Sequence, residues 1–357
     1  MRRAQKTYVL LFAVLALAGC GGSDEPVSND TSELSGKVVF SGFGSSTDET
    51  ADKHFFKPFT KATGVTVTID ASSEEIVAKL RAAQEADNVP WSLIRAEEED
   101  LVVLIEDELI EPIPADLKAK LDERFNPGAV TDYGVPYIDY SAVLVCDTKV
   151  VDPCPETMAD FWDTERFQGP RTMYADGWLD NLVFALEADG VPPDEIFPLD
   201  VDRAFRKLDE IRDSIDVWWT NSEQAEQIFR DGEVAMGTIW SGRATLLATS
   251  GEGFDVEFNG AVLARELWVV PKGAPNPEAG FALMEWYATH PKAIAGFMSE
   301  RRNGIPSPEA YKNIPPEIVA ALPTAPQNAA KVVQVDFDWV NANRDEVFRR
   351  YQEWLTR

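Results

Sequence analysis

The chain has 357 residues, of which 45% are hydrophobic, which is enough for two domains of ordinary size with full cores. Its 33 basic and 61 acidic residues give a formal net charge of −28. This charge argues against a nucleic-acid partner, because a phosphate backbone requires a basic face. It is compatible with a cationic solute, and equally with a salt-rich habitat or with solubility alone.

The N-terminal segment predicts export. Arg2, Arg3 and Lys6 form a basic region, and the apolar run 8–17 is about half as long as a membrane span requires. The sequence Leu-Ala-Gly-Cys at 17–20 matches the cleavage box of a bacterial lipoprotein. We expect a signal peptide at 1–19, lipidation of Cys20, and a flexible tether within 20–36. The alternative is an ordinary signal peptide with a chance cysteine.

The other two cysteines, Cys146 and Cys154, lie close together in the sequence. Outside the cytoplasm they form either a disulfide or two separate buried thiols, and the sequence leaves both open. His54 and His290 are far apart, and no Cys/His spacing indicates zinc. We therefore expect neither a metal site nor a cofactor.

The first part of the chain alternates strands and helices. Strands are predicted at 37–41, 65–69 and 91–94, helices at 48–62 and 74–86, and a helix with the turn beyond it within 101–113. This alternation indicates a parallel sheet with right-handed crossovers.

The rest of the chain predicts a second α/β lobe that is entered and left by long strands. The strand at 142–146 is the predicted crossing into this lobe, and the strand at 261–270 is the predicted return. Further elements are a helical turn at 157–163, a strand at 171–175, and helices at 179–188, 200–213, 277–289, 291–299 and 341–355. A cleft between two such lobes is the default ligand site.

The stretch 217–242 predicts a loop, a helix, a strand and the start of a second helix. Thr220 and Glu223 are spaced as a capping box, and the apolar run 234–240 is typical of a covered parallel strand. Trp240 ends this strand, and ligands of open α/β sheets lie beyond the carboxyl ends of strands. Trp240 is therefore a candidate ligand contact, with a place in the core as the alternative.

Several segments carry a family resemblance: 59–67, 133–138, 158–169, 218–243 and 266–280. They resemble bacterial ABC-transporter solute-binding proteins, most of all the spermidine/putrescine-binding branch with the type II periplasmic-binding-protein fold. The resemblance implies an α/β protein with two lobes, hinge crossings and a ligand cleft. The first lobe would comprise 37–142 and 265–307, and the second would comprise 143–264 and 308–357. It also implies a monomer that passes its solute to a permease and an ATPase.

The resemblance also assigns ligand contacts. Polyamine binders hold the ligand's methylenes between aromatic walls and pair its ammonium groups with carboxylates. Apolar burial stabilises the methylenes, and cation–π contacts and charge-assisted hydrogen bonds stabilise the ammonium groups. Trp240 matches an aromatic wall, Glu266 and Asp180 match acids, and Asp176 and Asp338 lie near further polar contacts. For Glu266 and Asp180 a structural salt bridge is the alternative.

Other positions depart from the polyamine pattern. Phe43 stands in a first loop that lacks the expected Trp and Tyr, and Ala264 replaces an aromatic residue. Arg95 and Arg265 are candidates to bind a carboxylate, which would suit an amino acid-like solute such as γ-aminobutyrate, or else they form surface ion pairs.

The leading hypothesis is therefore an exported, lipid-anchored receptor for a polyamine-like amine, with a zwitterionic solute as the alternative. A sensor that presents its ligand to a signalling receptor is a third interpretation. A hydrolase that uses Asp176 and Glu266 is a remote one, because no G-x-S-x-G, H-E-x-x-H or Walker A motif is present. We expect that the protein is not an enzyme.

Overall fold

The computed structural model describes residues 34–73 and 75–357. The predicted signal peptide and the lipidation site at Cys20 lie outside these residues. Nine strands are present in the described part: β1 Lys37–Gly42, β2 Thr66–Ala71, β3 Leu93–Glu97, β4 Ile110–Glu111, β5 Gly134–Asp147, β6 Arg171–Tyr174, β7 Ile215–Trp219, β8 Met236–Trp240 and β9 Phe254–Pro271.

The α-helices of the same residues begin largely where prolines or cap residues stand. They are α1 Ser46–Ala51, α2 Lys57–Thr63, α3 Ile76–Glu85, α4 Leu101–Glu106, α5 Ala115–Asp122, α6 Met158–Trp162, α7 Trp178–Ala188, α8 Val201–Ile211, α9 Ser222–Arg230, α10 Ser241–Thr249, α11 Pro277–Thr289, α12 Pro291–Arg301, α13 Pro308–Tyr311, α14 Pro316–Val319, α15 Pro326–Ala329 and α16 Phe337–Leu355.

The strands form one mixed sheet in the order β2-β1-β3-β9-β5-β8-β6-β7, with β4 beside β9. The outer strands pair in parallel: β1 with β2 and β3, and β6 with β7 and β8. The two long central strands β5 and β9 pair with each other in antiparallel fashion, from Gly134↔Val269 to Asp147↔Phe254. They are the predicted crossings, so each parallel half of the sheet belongs to one lobe.

The apolar core is divided in the same way. One set of buried residues surrounds β1, β3 and the carboxyl-terminal half of β9, with Phe40, Phe55 and Trp268 at its centre. A second set surrounds β6, β8 and α7, with Phe184 and Trp219 among its buried rings. The two-lobe α/β fold predicted from the sequence is confirmed.

The stretch 217–242 differs from its prediction in two details. The segment predicted as a loop is the end of β7, which reaches Trp219. The next helix begins at Ser222 and not at Thr220, because the Asn221 side chain caps it by accepting a hydrogen bond from the Gln224 amide. The strand ending at Trp240 and the helix beginning at Ser241 are as predicted.

Cys146 and Cys154 form a disulfide, with their Cα atoms 5.9 Å apart. Cys146 lies near the end of β5, so the bond fastens the following loop to the second lobe. Among residues 34–73 and 75–357, no helix combines the length and the apolar character needed to cross a bilayer.

Candidate ligand-binding cleft

A cavity of about 820 Å³ lies where the strand ends of the two lobes face each other. The first lobe lines it with the loops after β1 and β3, and the second lines it with the loops after β6, β7 and β8. This volume is in the range of pockets for small molecules. The lining carries eight carboxylates and four guanidinium groups, so the cleft is acidic overall.

Four aromatic side chains form one wall of the cavity: Tyr140, Tyr174, Trp219 and Trp240. The rings of Tyr140 and Tyr174 each lie 5.1 Å from Trp240, both edge to face, and Trp219 lies at 5.4 Å. Tyr174 stacks on Trp219 at 4.2 Å, and the Trp219 indole donates to the Thr238 carbonyl at 2.8 Å. Three of these residues end parallel strands, which is why residues distant in sequence share one wall.

Carboxylates adjoin this aromatic wall. Tyr140 donates a hydrogen bond to Glu97 at 3.0 Å, and Asp180 stands in the first turn of α7. Burial, and then the charge of Glu99, raise the pKa of Asp180 to about 8. Burial, and then the charge of Glu266, raise the pKa of Glu97 well above its usual value. Burial and a neighbouring carboxylate disfavour the ionised form of each acid, so a cation in the cleft would stabilise that form.

The predicted residues Arg95, Glu266 and Phe43 lie together in the first lobe. The buried guanidinium of Arg95 makes an ion pair with Glu266 and lies 3.6 Å from Asp48 Oδ1. It also covers the Phe43 ring, 4.4 Å from the ring centroid. Burial alone lowers the pKa of Arg95, but Glu266 and Asp48 outweigh it and the net shift is upward. Arg95 is therefore charged and already paired with acids of the chain.

Arg265 is likewise paired. Its Nε donates to Asp139 Oδ1 at 2.6 Å and its Nη2 donates to Asp139 Oδ2 at 3.0 Å, with Glu98 at 4.0 Å. Both arginines that the sequence offered as carboxylate binders thus line the cavity, but their charges are balanced by neighbouring acids. Their role as ligand contacts stays a prediction, and a guanidinium that already pairs with an acid is less available to a ligand carboxylate.

The two remaining predicted acids have different positions. Asp176 lines the cavity, is exposed, and accepts a hydrogen bond from Gln352 at 3.4 Å. Asp338 is exposed in the first turn of α16 and is not part of the lining, where its neighbour Phe337 stands instead.

Sequence reasoning missed Arg301. It ends α12, is buried, and lines the cavity, where its Nη1 donates to Ser46 Oγ at 3.1 Å. Among the described residues no carboxylate lies within ion-pair distance of it, and its Nε has no hydrogen-bond partner. Burial, and then the charge of Arg243, lower the pKa of Arg301, and the charges of Glu223 and Glu226 offset this only in part. A basic residue at a helix end is ordinary, so the sequence held no signal for it.

Contacts between the lobes flank the cavity on two sides. On one side, Arg243 of the second lobe pairs with Glu223 and donates to Ser46 Oγ at 3.0 Å, which joins it to the first lobe. On the other side, Arg344 in α16 pairs with Asp100 at 2.6 Å and with Glu99 at 3.4 Å, just after β3. Both contacts require the two lobes to stand close together.

The model of one protein family, the bacterial extracellular solute-binding proteins, matches residues 54–327. The chain is 29% identical over 324 residues to the gamma-aminobutyric acid-binding protein of Pseudomonas aeruginosa, an alignment that covers 88% of this chain and 90% of that protein. It is 25% identical over 238 residues to the spermidine/putrescine-binding periplasmic protein of Escherichia coli, covering 64% of this chain and 67% of that protein.

Solved structures agree with these similarities. A GABA receptor structure is 31% identical to the chain and superposes with a TM-score of 0.82, covering 89% of this chain and 97% of that one.

Proposed function

The chain belongs to the family of bacterial extracellular solute-binding proteins, and from this premise we propose that its cleft captures a small solute carrying one ammonium group and one carboxylate, in the class of γ-aminobutyrate. The protein is exported, is the solute-binding component of an ABC importer, and is not an enzyme.

The observation that carries this proposal is the guanidinium of Arg301, which donates to Ser46 but forms no ion pair within the described residues. It faces the same cavity as the aromatic wall and its acids, and burying a charge without a partner is costly. A ligand carboxylate would remove that cost, because guanidinium and carboxylate form two parallel charge-assisted hydrogen bonds. The solute's ammonium group would lie at Trp240 and Asp180, where cation–π contact and ionic attraction both favour it.

A diamine is the second candidate, and the specific observation in its favour is the excess of carboxylates over guanidinium groups in the lining. The E. coli relative is named for spermidine and putrescine. A diamine, however, leaves Arg301 unpaired, and for that reason we rank it second.

Four ligands with the same four-carbon chain separate these possibilities: γ-aminobutyrate, butylamine, butyrate and putrescine. Titration calorimetry on the chain from residue 34 onward measures each affinity at fixed salt. We expect γ-aminobutyrate to bind at least about tenfold more tightly than butylamine or butyrate, since it alone makes both charged contacts. Putrescine as the tightest ligand would replace the proposal by the second candidate, and equal binding of all four would refute both.

We further propose that Cys20 is lipidated and anchors a monomeric protein to the membrane, which the N-terminal motif supports. Replacing Cys20 by Ala should move the protein from the membrane fraction to the soluble one, and light scattering should report a single chain.

The lobe boundaries at 142/143 and 264/265 are proposed as predicted, and both fall within the long central strands. The last boundary is proposed beyond Leu322 instead of at 307/308, because Ile314 and Leu322 still pack in the first lobe's core.

A further inference from the structure

The guanidinium of Arg95 has the surroundings that a bound organic cation would have. It pairs with the Glu266 carboxylate, lies 3.6 Å from Asp48, and covers the face of Phe43 at 4.4 Å. Carboxylates and an aromatic face are the groups that proteins use to bind ammonium and guanidinium ligands. Here a side chain of the protein itself occupies that position, at the wall of the ligand cavity.

Negative charge exceeds positive charge around Arg95. Two buried carboxylates face one guanidinium, and among the described residues Glu266 Oε2 and Asp48 Oδ1 have no hydrogen-bond partner. The position of Asp48 is fixed, since its Oδ2 accepts a hydrogen bond from the Gly44 amide at 2.7 Å. Gly42 allows this approach, because a Cβ there would lie 2.6 Å from that oxygen. Asp48 is therefore held in place independently of Arg95, whereas the hydrogen bond recorded for the Glu266 carboxylate among the described residues comes from Arg95 itself.

The second cationic site lies close to the one proposed for the ligand ammonium. Tyr140 lies between them, since its hydroxyl donates to Glu97, the cross-strand neighbour of Glu266, and its ring contacts Trp240. Burial, and then the charges of Glu97, Glu266 and Asp180, raise the pKa of Tyr140 well above its usual value. Residues of both sites, Glu266 and Phe43 of one and Trp240 and Asp180 of the other, line the same cavity.

From this arrangement, and resting on the proposed function, we propose that Arg95 is a specificity-determining residue: an internal cation that fills the second cation site of the cleft and so restricts it to solutes with a single ammonium group. Without the Arg95 side chain, Glu266 and Asp48 would be open to a second ammonium group of the ligand. A protein that binds a monoamine would then bind a diamine.

The test compares putrescine with butylamine, which differ by one ammonium group, in the native protein and in Arg95→Ala. We expect the ratio of their affinities to shift toward putrescine by at least about tenfold in Arg95→Ala, the effect of one new charge-assisted contact. Arg95→Lys is the matched variant, since it keeps a cation in place, and its ratio should stay near that of the native protein. A purely structural ion pair would change both affinities together and leave the ratio unaltered, which would overturn the proposal.

Loss of Arg95 leaves two buried carboxylates uncompensated, so Arg95→Ala risks poor folding. In that case the melting transition is measured with putrescine or butylamine added. The proposal requires putrescine to restore the transition more than butylamine does, and equal restoration or none contradicts it. Binding of γ-aminobutyrate by the native protein tests the proposed function separately, because that measurement does not depend on the behaviour of Arg95→Ala.

Discussion

Arg301 and Ser46 join the end of α12 to the start of α1 by a hydrogen bond of 3.1 Å, and this hydroxyl is the partner of a guanidinium that has no ion pair within the described residues. A hydroxyl group cannot neutralise a buried charge. Arg301 therefore gives the cleft a buried positive charge that the nearby Glu223 and Glu226 offset only in part.

Replacing Arg301 by Gln should lower the affinity for γ-aminobutyrate by roughly 10- to 100-fold and leave the affinity for butylamine nearly unchanged. Only γ-aminobutyrate has a carboxylate, and the substitution removes the guanidinium that would bind it. The melting temperature of the ligand-free protein should not fall, because an uncompensated buried charge is removed. Arg302→Gln is the matched control, since Arg302 is adjacent in sequence but is not part of the cavity lining. An equal loss for both ligands would exclude Arg301 as the carboxylate contact.

Trp240→Ala should lower the affinity for every ammonium ligand by more than about tenfold, because one cation–π or stacking contact is lost. Trp339→Ala provides the control, because Trp339 is also half-buried but packs against Phe197, away from the cavity lining. Calorimetry gives the affinities, and circular dichroism checks the fold. Unchanged affinity in a folded Trp240→Ala protein would remove Trp240 from the site.

The raised pKa of Asp180, about 8, makes ammonium binding dependent on pH. An ammonium group prefers the ionised carboxylate, so affinity for butylamine should rise between about pH 6 and pH 8, by up to about tenfold per unit. Binding near pH 7 should also release protons, which calorimetry in buffers of different ionisation enthalpy detects. Asp180→Asn should abolish both effects, and their persistence would assign them to another acid, of which Glu97 is the nearest in character.

The same shift predicts a stability change. Because the pKa of Asp180 is higher in the folded protein than its ordinary value of 3.8, the folded state binds more protons between these two pH values. The contribution of Asp180 to the free energy of unfolding therefore falls as pH rises from about 4 to about 8. Asp180→Asn should raise the melting temperature at pH 8, and the gain should diminish toward pH 4. A gain independent of pH would contradict this explanation.

Arg344 should favour the closed arrangement of the lobes. Arg344→Ala removes the ion pairs with Asp100 and Glu99, which, at a site about one-third exposed, should cost about 1 kcal/mol or less. Ligand affinity should fall by several fold, and small-angle scattering of the ligand-free protein should show a larger radius of gyration. Arg349→Ala is the control, since Arg349 lies on the same helix and its ion pair among the described residues is with Glu353 of that helix. Identical scattering of the two variants would exclude this role.

The sequence predicted elements whose signals are local. The helix Pro277–Thr289 begins at its proline, and the strand that ends at Trp240 follows from an unbroken apolar run. The segment before Asn221 was less well predicted, because Trp218 and Trp219 follow a mixed polar run that gives no clear period. β7 becomes a strand by pairing with β6, a contact that is distant in sequence.

Local signals also account for part of the cavity lining, and the role of these residues in ligand binding stays a prediction. Trp240, Glu266 and Asp180 follow from strand ends, helix starts and the family pattern, and they line one cavity. The electrostatics required the fold, because the partner of Arg95 lies 171 residues away in the chain. Arg95 and Arg265 have carboxylate partners and Arg301 has none among the described residues, a difference that no local sequence pattern indicates.

The register of β5 and β9 bears on how the lobes separate. Their ladder is interrupted by irregularities at Pro136/Ile138 and at Ala142/Leu144, and it stays paired between and beyond them, as at Ser141↔Leu263. Bulges bend strands without ending them. The lobes can therefore open and close by elastic bending of the two-stranded ribbon of β5 and β9 at its two irregularities. Amide hydrogens of this ribbon should accordingly resist exchange with deuterium in both the open and the closed protein, although it is the part of the backbone that bends.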